Sequence, residues 1–444
     1  MTLIFIYDKF LINIAMANNG GKDKNTALKV AISANLGWGF ELFDLVVYLY
    51  VANTIAPLFF PSSSRIASLL LFLLTIVIGY FARPLGGIFF GHYGDRIGRK
   101  RLWFISLLGM GIATIMMGFL PTYYQIGIMA TILLVMLRIL QGFFLAGEWG
   151  GGMTLVSEFS PDNLRGLMGG IQQGGAALGL IFAVIANEVA LTLAPGNTFQ
   201  TLGWRIMFWF GVVPLIIALA VRWKVGESVE WLTKVADKPE KIPIVTVFKR
   251  WWKLVIIATV VLFASGSIYY GIIAYMPTFL GLYTKLSPYE IDNIVLATNL
   301  IWLFISPLTG YLSDVMKTRK KLIAYIGFLI GLLVYPVVSM LYIGSYILGI
   351  LAGLIMGFLF AFQYSLFPAW LSENIATSVR YSYIAFSINL GVAFSSFAPY
   401  IVTALGLAFH NPVTGTAVFD VTAAIIGGIA ALLSPPDKVG MELQ

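Results

Sequence analysis

Three ionisable residues lie deep within long apolar stretches of this sequence. Glu41 and Asp44 stand about fifteen residues into the first stretch, and Arg138 stands about as far into the fourth. Residues three apart on a helix share a face, so the two acids are neighbours. An ionisable group at membrane depth costs several kcal/mol and generally faces a cavity or a partner. Such a set can take up and release a proton on an acid, and can bind a carboxylate through a guanidinium.

A denser group of charges lies in the segment from Arg83 to Arg101, RPLGGIFFGHYGDRIGRKR, between two apolar runs. It contains Asp95 and Arg99 together with further basic residues. Glycine recurs at positions 87, 91, 94 and 98, which lets two helices approach closely around a tight turn. We expect this segment to form a loop in water beside a membrane and to act as a gate.

Composition places these charges in a membrane protein. Of the 444 residues, 59% are hydrophobic and 11% are charged, and the mean hydropathy is +0.89, whereas soluble domains carry about 25% charged residues. The formal charge of +8 lies in loops rather than on a soluble surface, so nucleic acid is not an expected partner. The sequence has no nucleotide-binding loop, metal-ligand spacing or nucleophile with a partnered base. We therefore predict no enzymatic activity, no cofactor and no metal site.

Apolar runs long enough to cross a bilayer recur twelve times, which predicts an all-α membrane protein with twelve transmembrane helices. The predicted spans are 28–56, 66–90, 102–120, 124–156, 166–193, 204–222, 251–281, 290–312, 321–342, 345–371, 382–408 and 416–433. The apolar run at 1–15 is interrupted by Asp8 and Lys9, so we expect a tail rather than a signal peptide, with the start at Met1 or Met16.

The basic residues fall almost entirely on one side of these spans. Of the 28 lysines and arginines, 23 lie on the side that carries both termini, three lie on the other side, and Arg83 and Arg138 lie within spans. Short loops rich in lysine and arginine stay in the cytoplasm. We therefore predict a multi-pass protein of the cell membrane with both termini cytoplasmic.

The chain divides into two repeated halves. Glu158 and Arg165 follow the fourth span, and Glu373 and Arg380 follow the tenth span with the same separation, 215 residues later. A weaker copy of the opening motif follows the eighth span, with Gly310, Asp314, Arg319, Lys320 and Lys321. Paired six-helix repeats with a central site between them are typical of secondary transporters.

This repeat predicts five regions along the chain. They are a cytoplasmic tail at 1–27, a six-helix bundle at 28–222, a cytoplasmic linker at 223–250, a second six-helix bundle at 251–434 and a cytoplasmic tail at 435–444.

From Asn25 to Ser434 the motifs resemble those of the major facilitator superfamily, and within it the metabolite:proton symporter family. The similarity is carried by GHYGDRIGRKR at 91–101, ELFD at 41–44, LRILQG at 137–142, GEWGG at 147–151 and GWRIMF at 203–208. It implies two pseudo-symmetric six-helix bundles, the major facilitator fold, around a central cavity.

In that fold the first and fourth spans both line the cavity, so Asp44 and Arg138 are expected to form a buried pair. Protonation of Asp44 would free Arg138 for an anionic solute, and departure of the anion would let the acid lose its proton. Glu41 is the alternative proton carrier. A fixed structural ion pair is the alternative to coupling.

The resemblance also implies a gate on the cytoplasmic side. Asp95 is expected to cap the start of the eleventh span near Tyr381 and to be held by Arg99. Glu158 and Arg165 are expected to clamp the neighbouring loop, with Glu373 and Arg380 as their equivalents in the second half. The alternative is that these charges only set the orientation in the membrane.

Further candidates within the spans have open roles. Glu148 either lines the inner part of the cavity or pairs with Arg83 near the end of the second span. In the second half, polar and aromatic side chains suited to a small solute are Tyr269, Tyr270, Gln363, Tyr364 and Asn389. Such side chains are also ordinary packing groups between membrane helices.

We predict proton-coupled symport of a small organic solute, with a carboxylate as the solute class because an arginine is the mid-membrane basic residue. One alternative is a facilitator or exchanger of sugars or neutral solutes, and another is a non-transporting membrane sensor with the same fold. The predicted partners are the solute, protons and the lipid bilayer, with the protein as a monomer.

Overall fold

The computed structural model describes residues 23–62, 64–237 and 239–443. Within them, twelve helices are long and apolar enough to cross a membrane, which confirms the all-α class and the number of spans. They are α1 Lys24–Phe59, α2 Ala67–Ile97, α3 Arg99–Met117, α4 Ile128–Phe159, α5 Arg165–Leu193, α6 Gly203–Trp223, α7 Pro243–Tyr283, α8 Tyr289–Val315, α9 Lys320–Ile343, α10 Tyr346–Glu373, α11 Thr377–Ala408 and α12 Pro412–Leu432. The possible starts at Met1 and Met16, and most of the predicted tail at 1–27, lie outside the described residues.

We call the end of the bundle that carries the loops after α2, α4, α8 and α10 the basic end. At this end the helices run further than the hydropathy predicts. The predicted end of the second span near residue 90 is wrong, because α2 continues to Ile97. It stops at Gly98, whose φ of 112° suits glycine and few other residues. Most of the segment from Arg83 to Arg101 is therefore helix rather than loop.

The predicted linker at 223–250 is partly helical. Val229–Lys234 is a short helix whose first turn is capped by the Ser228 side chain. The seventh helix begins at Pro243 rather than at 251, and proline is common at this first helical position. Trp251 has non-helical φ and ψ of −127° and 22°, which marks a kink in α7. The predicted start of the span at 251 therefore coincides with this kink, which separates the first turns of α7 from its apolar part.

Several helices are interrupted near the middle of the bundle. The α-helical pattern of α5 breaks at Gly174 and Gly175, and that of α11 breaks between Ser395 and Ala398. In α7, Tyr269–Ile273 form a π-helix. Paired glycines commonly kink helices, and π-turns are frequent at functional sites. Broken helices of this kind line the central sites of secondary transporters.

The two halves, α1–α6 and α7–α12, approach each other closely along glycines. A Cβ atom on Gly91 of α2 would lie 2.5 Å from the Cα of Ser382 in α11, and a Cβ on Gly166 would lie 2.2 Å from the carbonyl oxygen of Gly310. Gly87, Gly91 and Gly94 of α2 therefore pack against α11 of the other half, and not around the predicted turn between α2 and α3. Glycine spacing reveals a close approach, but it does not identify the helix that approaches.

We expect Gly91→Ala to force the halves apart at the basic end, because overpacking of a close contact costs about 1–3 kcal/mol. The chain has no cysteine, so a single cysteine at the buried Ser157 gives a specific probe of opening. Its rate of maleimide labelling should rise in Gly91→Ala.

Gly281→Ala is the matched control, since an added Cβ there meets no atom of the described residues within 4 Å. Equal labelling of the unmodified background and the Gly91→Ala variant would contradict the proposed role of this contact.

Candidate functional site

A cavity lies between the two halves near the middle of the helices. Its walls come from α1, α2 and α4 of the first half and from α7, α8, α10 and α11 of the second. It is lined by Trp38, Glu41, Leu42, Asp44, Leu45, Ile76, Gly79, Tyr80, Arg83, Arg138, Gln141, Gly142, Leu145, Trp149, Tyr269, Tyr270, Trp302, Tyr364 and Val392. This set includes six of the residues predicted for proton coupling or solute binding: Glu41, Asp44, Arg138, Tyr269, Tyr270 and Tyr364.

Asp44 and Arg138 form a buried ion pair in the wall of this cavity. Arg138 Nη1 lies 3.2 Å from Asp44 Oδ2 and also donates to Gln141 Oε1 at 2.6 Å. The Thr114 hydroxyl donates to Asp44 Oδ1 at 3.0 Å and accepts from Gln141 Nε2 at 2.7 Å. The centroid of the Tyr48 ring lies 3.1 Å from the guanidinium carbon of Arg138. A buried ion pair is tolerated when further hydrogen bonds satisfy its groups. This network gives both carboxylate oxygens of Asp44 a donor, whereas Arg138 Nε and Nη2 have no acceptor within the described residues.

A second acid–arginine pair lines the same cavity. Arg83 Nη1 donates to Glu41 Oε1 at 3.0 Å, and Arg83 Nε donates to Asn389 Oδ1 of α11 at 2.8 Å. The Asn389 amide group in turn donates to the carbonyl oxygens of Ala146 and Ala385. Arg83 therefore joins an acid of the first half to an amide of the second half, across the interface between them.

The remaining walls are rich in aromatic rings and in N–H donors. Trp38 stacks on Trp149 with ring centroids 4.5 Å apart, and Trp149 stacks on Tyr364 at 5.7 Å. Within the described part of the chain, Arg83 Nη2 and the indole nitrogens of Trp38, Trp149 and Trp302 have no hydrogen-bond acceptor. Glu41 Oε2 likewise has no donor among these described residues. Unpaired donors outnumber unpaired acceptors here, which suits a solute with a carboxylate.

The basic end is closed by two equivalent helix caps. Asp95 accepts from the backbone amides of Tyr381 and Ser382 at 3.2 and 2.9 Å, as the motif predicts, and Arg99 lies 3.1 Å from Asp95. Asp314 accepts from the amides of Gly166 and Leu167 at 2.9 and 2.8 Å, and these lie 215 residues before Tyr381 and Ser382. Each aspartate caps a helix of the opposite half. Asp95 and Arg99 are fully buried, so the expectation of a charge cluster in water is wrong for them.

Ion pairs between the halves surround these caps. Glu158 lies 2.7 Å from Arg380 of the second half and 3.3 Å from Arg99 of its own half. Reciprocally, Glu373 lies 3.8 Å from Arg165 of the first half and 3.0 Å from Arg319. The predicted clamp of a neighbouring loop by Glu158 and Arg165 is thus a clamp on the opposite half.

The model of the Major Facilitator Superfamily matches residues 25–399. This chain belongs to the major facilitator superfamily. It is 33% identical over 390 residues to the inner membrane metabolite transport protein YhjE of Escherichia coli K12, covering 85% of this chain and 87% of that protein. It is 29% identical over 423 residues to the proline/betaine transporter of Escherichia coli K12, covering 92% and 84%.

The fold is also that of a solved member of the superfamily. The proton:xylose symporter XylE, bound to 6-bromo-6-deoxy-D-glucose, superposes with a TM-score of 0.75 at 16% identity, covering 92% of this chain and 95% of that one. The predicted resemblance is confirmed. The protein is a multi-pass membrane transporter of this superfamily and not an enzyme.

The predicted pairing of Glu148 with Arg83 in this transporter is wrong. Glu148 instead binds Arg222 through two hydrogen bonds of 2.6 and 2.7 Å, and the Arg222 guanidinium lies over the ring of Trp103. A bidentate carboxylate–guanidinium pair is strong and geometrically specific. Since Glu148 and Arg222 do not line the cavity, this pair joins α4 to α6 within the first half.

Two predicted solute ligands also lie outside the cavity lining. Gln363 is held by Ser265 and by the carbonyl oxygen of Ile323 within the second half. Asn389 is fully buried and holds Arg83. An amide within a span can either bind a solute or pack between helices. The sequence alone does not distinguish these roles, because it does not give the direction of the side chain.

Three buried ionisable residues have positions or roles that differ from those expected from the sequence. Arg83 was placed near a helix end, but α2 continues fourteen residues past it, or about 21 Å at 1.5 Å per residue. Arg222, expected in the cytoplasmic loop, lies in the last turn of α6. Asp420, inside the predicted span 416–433, received no role although it is fully buried. An ionisable residue within a span was the signal that should have identified it.

We expect Glu158→Gln to open the basic end of this transporter. Removing one charge of a buried pair costs about 3–5 kcal/mol, comparable with the few kcal/mol that separate two conformations of a protein. A cysteine introduced at the buried Ser372, which touches Ser157 across the halves, should then be labelled faster by maleimide.

Glu188→Gln, at an exposed glutamate of α5, serves as the charge-matched control. If the labelling rates of Glu158→Gln and Glu188→Gln are the same, Glu158 does not hold this end closed.

Proposed function

We propose that this protein is a proton-coupled symporter of a small organic solute that carries a carboxylate. The observation that carries this proposal is the presence of two buried acid–arginine pairs, Asp44–Arg138 and Glu41–Arg83, in one cavity between the halves. An arginine released from its acid can bind a solute carboxylate bidentately. The proton that neutralises the acid then travels with the solute.

Asp44 is the proton site in this mechanism, because both of its protonation states can keep their hydrogen bonds. Thr114 Oγ lies 3.0 Å from both Asp44 Oδ1 and the carbonyl oxygen of Met110. The hydroxyl donates to charged Asp44, or turns to Met110 and accepts from the protonated acid. Gln141 holds Arg138 in place in either state. Arg138 is then left charged and ready for the solute.

Glu41 and Arg83 face the solute in this mechanism. Glu41 Oε2 and Arg83 Nη2 have no partner within the described chain, so each can contact a bound molecule. Arg83 is also tied to Asn389 of the second half. A solute that competes with Glu41 for Arg83 therefore acts on a contact between the halves, which couples binding to their relative movement.

The basic end faces the cytoplasm in this proposal, because loops rich in lysine and arginine stay there. The caps and ion pairs close that side in this conformation. Alternating access follows when these contacts break and the other side closes. The bundles at 28–222 and 251–434 supply all of the cavity, so a monomer in the cell membrane is sufficient.

Asp44→Asn should retain exchange of solute between the two sides and lose uphill uptake driven by a pH gradient, because the amide mimics the protonated acid permanently. The measurement is uptake and counterflow in proteoliposomes, with a solute chosen by a thermal-shift screen.

Glu41→Gln is the matched variant and should retain uphill uptake with weaker solute binding. Uphill uptake by Asp44→Asn, together with its loss in Glu41→Gln, would move the proton to Glu41 and contradict the assignment.

A zwitterion is a second candidate for the solute. The unpaired Glu41 Oε2 lies in a cavity walled by Trp38, Trp149, Tyr269 and Trp302, and aromatic faces bind quaternary ammonium groups. The solute's carboxylate would bind an arginine, and its cation would lie near Glu41. A relative of this chain is a proline/betaine transporter, which is consistent with this class.

Glycine betaine and 3,3-dimethylbutanoate separate the two solute classes, because they differ only in a charged nitrogen or a neutral carbon at the same place. Ligand binding raises the melting temperature. A zwitterion site should be stabilised more by glycine betaine, and Glu41→Gln should remove that preference. Stabilisation by 3,3-dimethylbutanoate alone would exclude the zwitterion and favour a simple carboxylate.

A further inference from the structure

Asp420 is an acid buried in the second half, away from the cavity. It stands near the middle of α12 and has no exposed surface. Neither of its carboxyl oxygens has a hydrogen-bond partner in the part of the chain that the structure describes. Its close neighbour is Gly271, on which an added Cβ would lie 2.9 Å from both oxygens.

Among the described residues, the surroundings of Asp420 offer no positive charge to balance a carboxylate. The helices packed on α12 are α7, α9 and α11. Their cationic side chains all lie at the basic end: Lys249, Arg250, Lys253, Lys320, Lys321 and Arg380. Asp420 is twelve residues before the basic end of α12, or about 18 Å at 1.5 Å per residue.

The titratable groups at the level of Asp420 are tyrosines: Tyr269, Tyr270 and Tyr275 of α7, Tyr335 of α9 and Tyr400 of α11. Tyr335 and Tyr400 are exposed on the outer surface, and the Tyr275 hydroxyl is hydrogen bonded to Thr403. A carboxylate without a cation or a donor is far too costly at this depth, so the group adopts its neutral form. Asp420 therefore holds a proton in this conformation.

The element in contact with Asp420 also reaches the cavity. Gly271 belongs to the π-helix Tyr269–Ile273, in which the amide of Ala274 donates to the carbonyl oxygen of Tyr269 at 2.8 Å. Tyr269 and Tyr270 of this turn line the cavity, and Tyr270 packs on Tyr80 of the first half with ring centroids 5.7 Å apart. One irregular turn thus contacts Asp420 on one side and the interface between the halves on the other.

We propose that Asp420 is a second proton-binding site, loaded in the conformation with the basic end closed and unloaded when movement of the π-helix admits water. On unloading, the O–H bond of the carboxylic acid breaks, the proton passes to water, and the bonding electrons stay on the carboxylate oxygen. The site lies on the other half of the protein from Asp44. It requires neither the proposed solute nor the proposed role of Asp44.

Infrared spectroscopy of the full chain in proteoliposomes tests this proposal without a transported solute. A protonated carboxyl group without a hydrogen bond absorbs at the high-frequency end of the carboxylic acid range. The spectrum at neutral pH should contain such a band, and Asp420→Asn should lack it while retaining the amide bands of the folded protein. Asp420→Ala, which removes the acid without added volume, provides a second variant should the amide impair folding.

Transfer to D₂O then separates a working site from a sealed one. A site that loads and unloads should convert from COOH to COOD within minutes, with a downward shift of the whole band. A band that stays unshifted for hours would identify a permanently sealed acid and overturn the proposal. If Asp420→Asn removes no band anywhere in the carboxylic acid range, Asp420 is charged in the unsubstituted protein, and the proposal is overturned as well.

Discussion

A charge inside a hydrocarbon layer needs a partner of opposite sign, and this constraint organises the centre of the protein. Glu41–Arg83, Asp44–Arg138 and Glu148–Arg222 all satisfy it within or between α1, α2, α4 and α6. The first two pairs line the cavity, where another anion can compete for the arginine. That competition is favourable only if the displaced acid is neutralised. The proposed coupling of a proton to an anionic solute rests on this cost of an unpaired buried charge.

The same constraint explains how the basic end closes. Asp95 and Asp314 each cap a helix of the opposite half, and Glu158 and Glu373 each pair with an arginine of the opposite half. All of these groups are buried, so each must exchange its partner for water when the halves separate. Contacts of this kind break together, because packed interfaces tend to have two discrete arrangements. The glycines at 91 and 166 permit the close approach that these contacts require.

Much of this architecture could be predicted from local properties of the chain. Hydropathy identifies twelve spans because each must match the thickness of a bilayer. The spacing of Glu158 and Arg165, repeated at Glu373 and Arg380, indicates two related halves. The contact of Asp95 with Tyr381 was also predicted, because a distinctive motif carried it. The position of Arg83 far from the end of α2 was not predicted. Histidine, glycine and charged residues lower the hydropathy of the segment after residue 90, although α2 remains helical there.

The sequence by itself determined how many helices cross the membrane, which side chains are ionisable within them, and where the two halves repeat. Each of these depends on residue type and spacing along the chain. Only the tertiary structure decided that Arg83 pairs with Glu41, that Glu148 pairs with Arg222, and that three glycines of α2 face α11, namely Gly87, Gly91 and Gly94. Pairing depends on helix rotation and crossing, which arise from contacts between residues far apart in the chain. Asp420 shows the same division. The sequence indicates that it lies within a span, but only the structure shows that its carboxyl group has no hydrogen-bond partner among the described residues.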